Sequence, residues 1–147
     1  MSVREATIDD LVALMLIERR AHEHPWAESI MLRYLNKPQT VWVLEFDNSV
    51  RAYAVVTVIA GEAELLMIAV DPDYQGNGHG RALMEFLITH IKTRAAERFF
   101  LEVRESNMPA IALYESLEFC QSGCRNNYYP TATGREDALM YCLELID

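Results

Sequence analysis

Cysteine is scarce in this chain, and what there is forms no framework. Cys120, Cys124 and Cys142 make three in 147 residues, an odd number that argues against a disulfide scaffold. Cys120 and Cys124 lie four apart, but no histidine pair follows to complete a ligand set, so no metal is expected. Their segment reads instead as a strand whose even spacing puts both thiols on one face. His22 and His24 have no third ligand nearby and read as solvated residues of a turn at Pro25. Positive charge is short as well: 13 Lys and Arg against 22 Asp and Glu leave a formal charge of −9. Such a surface binds a phosphate backbone poorly and attracts cations, so nucleic acid is not expected as a partner and a basic protein or peptide is. Long apolar runs are missing too. None approaches the roughly 20 residues of a membrane span, and the N-terminus lacks a basic, apolar, small-residue leader pattern. A cytoplasmic protein with no membrane association is expected, built as a single domain over residues 1–147 with its own core.

What the chain does have is an organised centre from Val70 to Ala82. Before it, Leu65, Met67 and Ala69 alternate with Leu66, Ile68 and Val70, the pattern of a central strand apolar on both faces. After it, Leu83, Phe86, Leu87 and Ile91 recur at helical spacing. Between them stand Gly76, Gly78 and Gly80, where backbone N–H groups at a helix start can approach an anion closely. On the glycines alone, a flexible turn is an equal reading. Two phosphate motifs are excluded. A Walker loop ends in Gly-Lys-Ser or Gly-Lys-Thr, whereas Gly80 precedes Arg81 and Ala82; a dinucleotide fingerprint needs a glycine three residues beyond its second, and the spacing here is different.

Taken in order, Val3–Thr7 reads as a short strand, and Thr7 with Asp9 and Asp10 starts a helix carrying Leu11, Leu14, Met15 and Ile17. Trp26 anchors a short helix from Glu28 to Tyr34. Val41–Phe46 and Arg51–Ile59, joined by Asp47-Asn48-Ser49, form a hairpin. The central strand begins at Glu62. Phe99–Val103 follows the glycine helix as a parallel neighbour. Asn107 caps a helix with Pro109 in its first turn, and Ile111, Tyr114 and Leu117 share one face. Two strands close the chain, about Phe119–Asn126 and Ala138–Leu145, joined through Tyr128-Tyr129-Pro130-Thr131.

Glu102 stands between Leu101 and Val103 on a strand that should be buried, where an unpaired carboxylate is costly to desolvate. Taken alone it faces either a cleft or water, as Tyr114 taken alone is as well explained by core packing.

The string Val70-Asp71-Pro72 followed by Gln75-x-x-Gly78-x-Gly80 resembles the acetyl-CoA pyrophosphate loop of the GNAT superfamily of N-acetyltransferases. Glu102-Val103-Arg104-x-Ser106-Asn107, Leu113-Tyr114-Glu115, Asn127-Tyr128-Tyr129-Pro130-Thr131 and Gly134-Arg135-Glu136-Asp137-Ala138, with Ala21-His22 and Pro25-Trp26 earlier, resemble its RimI-type subgroup. That subgroup acetylates the N-terminal alanine of the small-subunit ribosomal protein S eighteen. The resemblance implies a mixed α/β fold: a twisted central sheet of about six or seven strands, helices on both faces and splayed parallel strands at the centre. It implies acetyl-CoA as co-substrate, bound through the backbone of Ile68, Ala69 and Val70, through the loop of Gly76, Asn77, Gly78, His79, Gly80 and Arg81, and by Asn107. It further implies that Glu102 relays the amine's proton and that Tyr114 protonates the leaving thiolate. Lysine side chains or a small amine are alternative acceptors, because the loop does not read the acceptor. A CoA-binding interaction protein without turnover is a further alternative, against which Glu102 and Tyr114 speak. One departure is Glu118 before Phe119, where the family has glycine at a left-handed helix end, at a cost on the order of 1 kcal/mol.

The chemistry of amine acylation fits these roles. Only a neutral amine attacks a thioester, and an α-amino group near pKa 8 is roughly a tenth to a third neutral around pH 7.4, against about a thousandth for lysine. A carboxylate near pKa 4 is a weak base, so Glu102 is expected to act through water or with a pKa raised by burial. Tyrosine near 10 giving its proton to a thiolate near 8.5 is uphill by about 2 kcal/mol, so Tyr114 is expected to stabilise the developing charge by hydrogen bonding.

Overall fold

The structure is a computed structural model describing residues 1–146. Its strands are β1 Ser2–Glu5, β2 Val41–Phe46, β3 Ser49–Ile59, β4 Glu62–Val70, β5 Arg98–Arg104, β6 Cys120–Pro130 and β7 Arg135–Glu144; its helices are α1 Leu11–Ala21, α2 Glu28–Leu35, α3 His79–Thr93 and α4 Met108–Ser116. The strands are hydrogen-bonded in the order β1-β2-β3-β4-β5-β7-β6, a mixed sheet of the expected class. The chain divides into two compact units, one of Met1–Thr57 with Leu66–His90, the other of Val58–Leu65 with the chain from Ile91 on.

In the first unit β1, β2 and β3 are antiparallel. The β2–β3 turn places Asp47 at φ 52 and Asn48 at φ 59, the left-handed pair of a two-residue hairpin turn, which Asn and Asp tolerate. Thr7 starts the first helical turn as expected: its N–H donates to Asp10 Oδ2 at 2.8 Å, and Arg4 holds the same carboxylate at 2.9 Å. Leu14, Met31, Val43, Tyr53 and Val55 are completely buried in one core cluster. Trp26 stacks on Tyr34, ring centroids 5.3 Å apart, anchoring α2.

His22 departs from its expected place in solvent. Its Nδ1 lies 2.8 Å from Glu18 Oε1, and Glu18, fully buried, also accepts from Tyr53 Oη and from the Trp26 N–H. Burial opposes the Glu18 charge, but these donors outweigh it and hold its pKa below the ordinary carboxylate value. The α1 periodicity hid this role, because Glu18 occupies a core position of the stripe.

In the second unit the first residues of β4 run parallel to β5, with Glu62 opposite Arg98 and Glu64 opposite Phe100. Antiparallel pairing continues from β5 to β7 and from β7 to β6. Helix α4 packs on one face of this ladder: Tyr114 lies against Phe119, which lies against Phe99, and Tyr141 Oη donates to Glu115 at 3.0 Å. Its end is left-handed at Glu118, φ 74. The Glu118 N–H bonds the Glu115 carbonyl and the Phe119 N–H the Tyr114 carbonyl, a Schellman ending that glycine normally closes.

Two expectations fail at β6. Tyr128, Tyr129 and Pro130 belong to the strand, and the turn follows them, closed by the Thr131 N–H on the Gly134 carbonyl at 2.8 Å. Cys120 and Cys124 do not share a face: Gln121 pairs with Tyr141 and Gly123 with Met140, so Ser122 is an inserted bulge residue that reverses the alternation.

Candidate active site

The glycine loop of the first unit is built by two short elements. Asp71 accepts from the Asp73 N–H at 2.9 Å to start a single helical turn, and Arg20 ties the same segment down through Asp71 and Asp73. Gly76 and Gly78 then take φ +83 and +79, and a Cβ built on either meets nothing within 4 Å. The backbone thus passes through a conformation that glycine permits, with open space beside it, directly before α3 begins at His79. Arg51 spreads its guanidinium over the Tyr74 ring at 4.0 Å and near Phe46 at 4.5 Å. Its Nε is buried without a partner, and it has no carboxylate partner among the described residues. His79 is buried, and burial followed by the Arg51 charge pushes its pKa down, so the ring adds no charge of its own. Arg81 faces Glu85 at 3.9 Å. On β4, Leu66, Met67, Ile68 and Val70 are half-buried while Ala69 is buried, less covered than an all-apolar strand leads one to expect. An open backbone loop, a helix N-terminus and an unpaired cation fit a phosphate-bearing group.

In the second unit Glu102 lies on the face of β5 opposite to Phe99 and Leu101. The β5–β7–β6 ladder brings Glu102 beside Met140, and Arg104 beside Ala138 and Arg125. A cleft of about 250 Å³ opens on this face, lined among others by Glu62, Glu64, Phe100, Glu102, Arg125 and Met140. Glu102 therefore faces a cleft, half-buried, with Arg125 Nε 3.0 Å from its Oε1. Beyond Arg125 the β6–β7 register shifts, so that Tyr129 pairs with Glu136. Asn127 is left-handed there and donates its N–H to Asp137 Oδ1 at 2.9 Å. Arg104 packs on the Tyr129 ring at 4.4 Å and donates to the Pro130 carbonyl.

Tyr114 is buried, and burial, reinforced by Tyr129, pushes its phenol up to about 12. Burial also raises Tyr129, with Glu102 as the next cause. Glu102, Tyr129 and Tyr114 thus feel one another in sequence, although α4 and Glu102 belong to opposite faces of the ladder. Asn107 caps α4 by accepting from the Ala110 N–H at 3.3 Å, which engages its carbonyl oxygen. Arg125 carries no signal in the linear pattern, because its nearness to Glu102 depends on the strand order. Arg51 is likewise silent until its rings are in place. Among the described residues no group of three His, Cys, Asp or Glu could hold a metal ion, and no helix is long and apolar enough to cross a membrane.

The mixed seven-stranded sheet is that of the GNAT acetyltransferases; the model of the acetyltransferase (GNAT) family matches residues 8–119, and the chain belongs to that family. Among its relatives, the ribosomal protein bS18-alanine N-acetyltransferase of Salmonella typhimurium is 47% identical over 141 residues, 92% of each chain. The crystal structure of the ribosomal protein S eighteen alanine N-acetyltransferase from Escherichia coli superposes with a TM-score of 0.92 at 43% identity, covering 98% of this chain and 93% of that one. The yncA protein of Salmonella typhimurium, solved with its cofactor acetyl-CoA, shares the fold at a TM-score of 0.87 and 21% identity, covering 100% and 95%.

Proposed function

We propose that the chain acetylates a protein N-terminus with acetyl-CoA, its acceptor being the N-terminal alanine of ribosomal protein S eighteen. The observation that carries this reading is the contrast between two proton-handling groups in one unit. Glu102 stands in an open cleft with a cationic partner, whereas Tyr114 is buried with a phenol near 12. The identity to relatives named for this reaction agrees with it.

Bound acetyl-CoA would supply an activated acetyl thioester. The loop from Gly76 through Asn77, Gly78, His79, Gly80 and Arg81 would hold its pyrophosphate by backbone N–H groups, with Arg51 as nearby counter-charge. The half-buried Ile68, with Ala69 and Val70, would lie along the pantetheine arm, and the Asn107 amide nitrogen would donate to the cofactor. Glu102 takes the proton that the acceptor nitrogen sheds as the C–N bond forms, directly or through water. Tyr114 serves a different atom, donating a hydrogen bond to the sulfur as the C–S bond breaks; the sulfur's proton comes finally from solvent. A buried phenol near 12 stays protonated at every working pH, so the donor is always present. The acidic surface, at net charge −9, suits a basic acceptor and steers it to the cleft.

The test is thiol release from acetyl-CoA. A basic peptide beginning with alanine should accelerate release at least a hundredfold over buffer, and the same peptide with a blocked N-terminus should not. Equal acceleration by both would reassign the acceptor to a side chain.

A further inference from the structure

We propose that Arg125 is a positioning residue for Glu102, holding one carboxylate oxygen so that the other is presented to the acceptor amine. This rests on the reading of Glu102 as the group that takes the acceptor's proton. Arg125 Nε lies 3.0 Å from Glu102 Oε1, and the two side chains are 52% and 26% exposed. A pair that open contributes little to stability, so the folded state has scant use for it. Within the cleft it stands out. Glu62, Glu64 and Glu102 line the opening, and among the described lining residues Arg125 is the one cation.

The local build fixes that cation in place. Arg125 is in register with Ala138, whose small buried side chain leaves room for the guanidinium to reach diagonally toward the Glu102–Met140 row. The other β5 cations of this face are engaged elsewhere: Arg104 with the Pro130 carbonyl, with Glu136 at 3.7 Å and with the Tyr129 ring, and Arg98 with Glu144 at 2.9 Å. Immediately beyond Arg125 the strand bulges, and the bulge is pinned: Asp137 accepts from the Asn127 N–H, while Arg135 donates to the Asn127 and Tyr128 carbonyls at 2.8 Å. The guanidinium also lies 5.3 Å from the Tyr128 ring centroid, a cation–π contact that helps hold it beside Glu102. Bulges that re-aim a side chain beside reacting groups are a recurrent device. A carboxylate tethered through one oxygen has lost its freedom to rotate, which is what a proton acceptor needs.

The experiment is steady-state kinetics of alanine-peptide acetylation with Arg125→Met, Arg125→Lys, Glu102→Gln and the Arg125→Met/Glu102→Gln double variant, each shown folded by its thermal melt. Arg125→Met should lower kcat about tenfold without raising KM for the peptide, because the guanidinium orients Glu102 and does not bind the peptide. Arg125→Lys should recover at least half of the loss on a logarithmic scale. The double variant should be no slower than Glu102→Gln alone. A kcat for Arg125→Met within twofold of the parent, a rise in KM alone, or strictly additive losses would overturn the proposal while leaving the Glu102 reading intact. Full turnover by Glu102→Gln would overturn that reading, and the proposal with it.

Discussion

Replacing Tyr114 by phenylalanine isolates one hydroxyl and leaves the ring that packs against Phe119. The size of the effect follows from the burial of the phenol. With its pKa pushed up to about 12, outright transfer of its proton to a thiolate near 8.5, taking free cysteine as proxy, is uphill by about 5 kcal/mol. Full transfer is therefore not its contribution, and what Tyr114 offers is a hydrogen bond that strengthens as negative charge grows on sulfur. Losing one such donor in a preorganised site costs about 2.7–4 kcal/mol, or 10²–10³ in kcat. Tyr114→Phe should show that fall in single-turnover acetylation, with CoA affinity by calorimetry within about threefold of the parent, since a group acting only at the transition state does not alter ground-state binding. The loss should also be constant across neutral pH, because a phenol near 12 does not titrate there. A variant within threefold of parental kcat, or one that fails to bind CoA, would refute this role.

Other substitutions probe the scaffold and the loop. Glu118→Gly relieves the left-handed C-cap and should stabilise the protein by about 1 kcal/mol, a rise in Tm of about 2–4 °C; no rise would show that Glu118 is unstrained there. Glu18→Ala strands the Tyr53 hydroxyl, the Trp26 N–H and the His22 ring, and should cost about 3 kcal/mol in denaturant unfolding. Because the folded Glu18 pKa is held down, its stabilising contribution is present above the ordinary glutamate value of about 4.3 and is lost as pH falls through the folded value. Glu18→Gln should accordingly be less stable at pH 7 and show a shallower acid slope than the parent; an unchanged slope would contradict the network. A Cβ at Gly78 meets nothing within 4 Å, so Gly78→Ala should cost the fold no more than about 1–2 kcal/mol of backbone strain while weakening CoA binding at least tenfold. Unimpaired CoA binding would remove this loop from the phosphate site.

Local pattern carried far into this fold where the physics was local. The Asp47-Asn48 turn, the Thr7 start, the Asn107 cap and the bounds of β2 and β4 follow from neighbours a few residues apart, and the structure returns them nearly unchanged. The strand run through Tyr128-Tyr129-Pro130 was illegible because those residues look like a turn. What keeps them extended is distant, namely Arg135, Asp137 and Arg104 bonding the backbone from other strands. The bulge at Ser122 hid for the same reason, since polar residues on an exposed strand leave the register to the partner strand. At the candidate site, Glu102 was conspicuous as a charge among apolar neighbours, yet its partner Arg125 follows only from the order β5-β7-β6. Glu18 was the reverse case: an ionisable residue on a core stripe whose partners lie on another strand and in the next loop.

Mass spectrometry of acetyl-CoA reactions with a basic peptide beginning with alanine tests the central claim most directly, run beside one copy with a blocked N-terminus and one with its lysines replaced. Terminal acetylation of the free and lysine-free peptides, with none on the blocked copy, is the predicted result. Acetyl groups on the lysines of the blocked copy, or on no copy at all, would contradict the account.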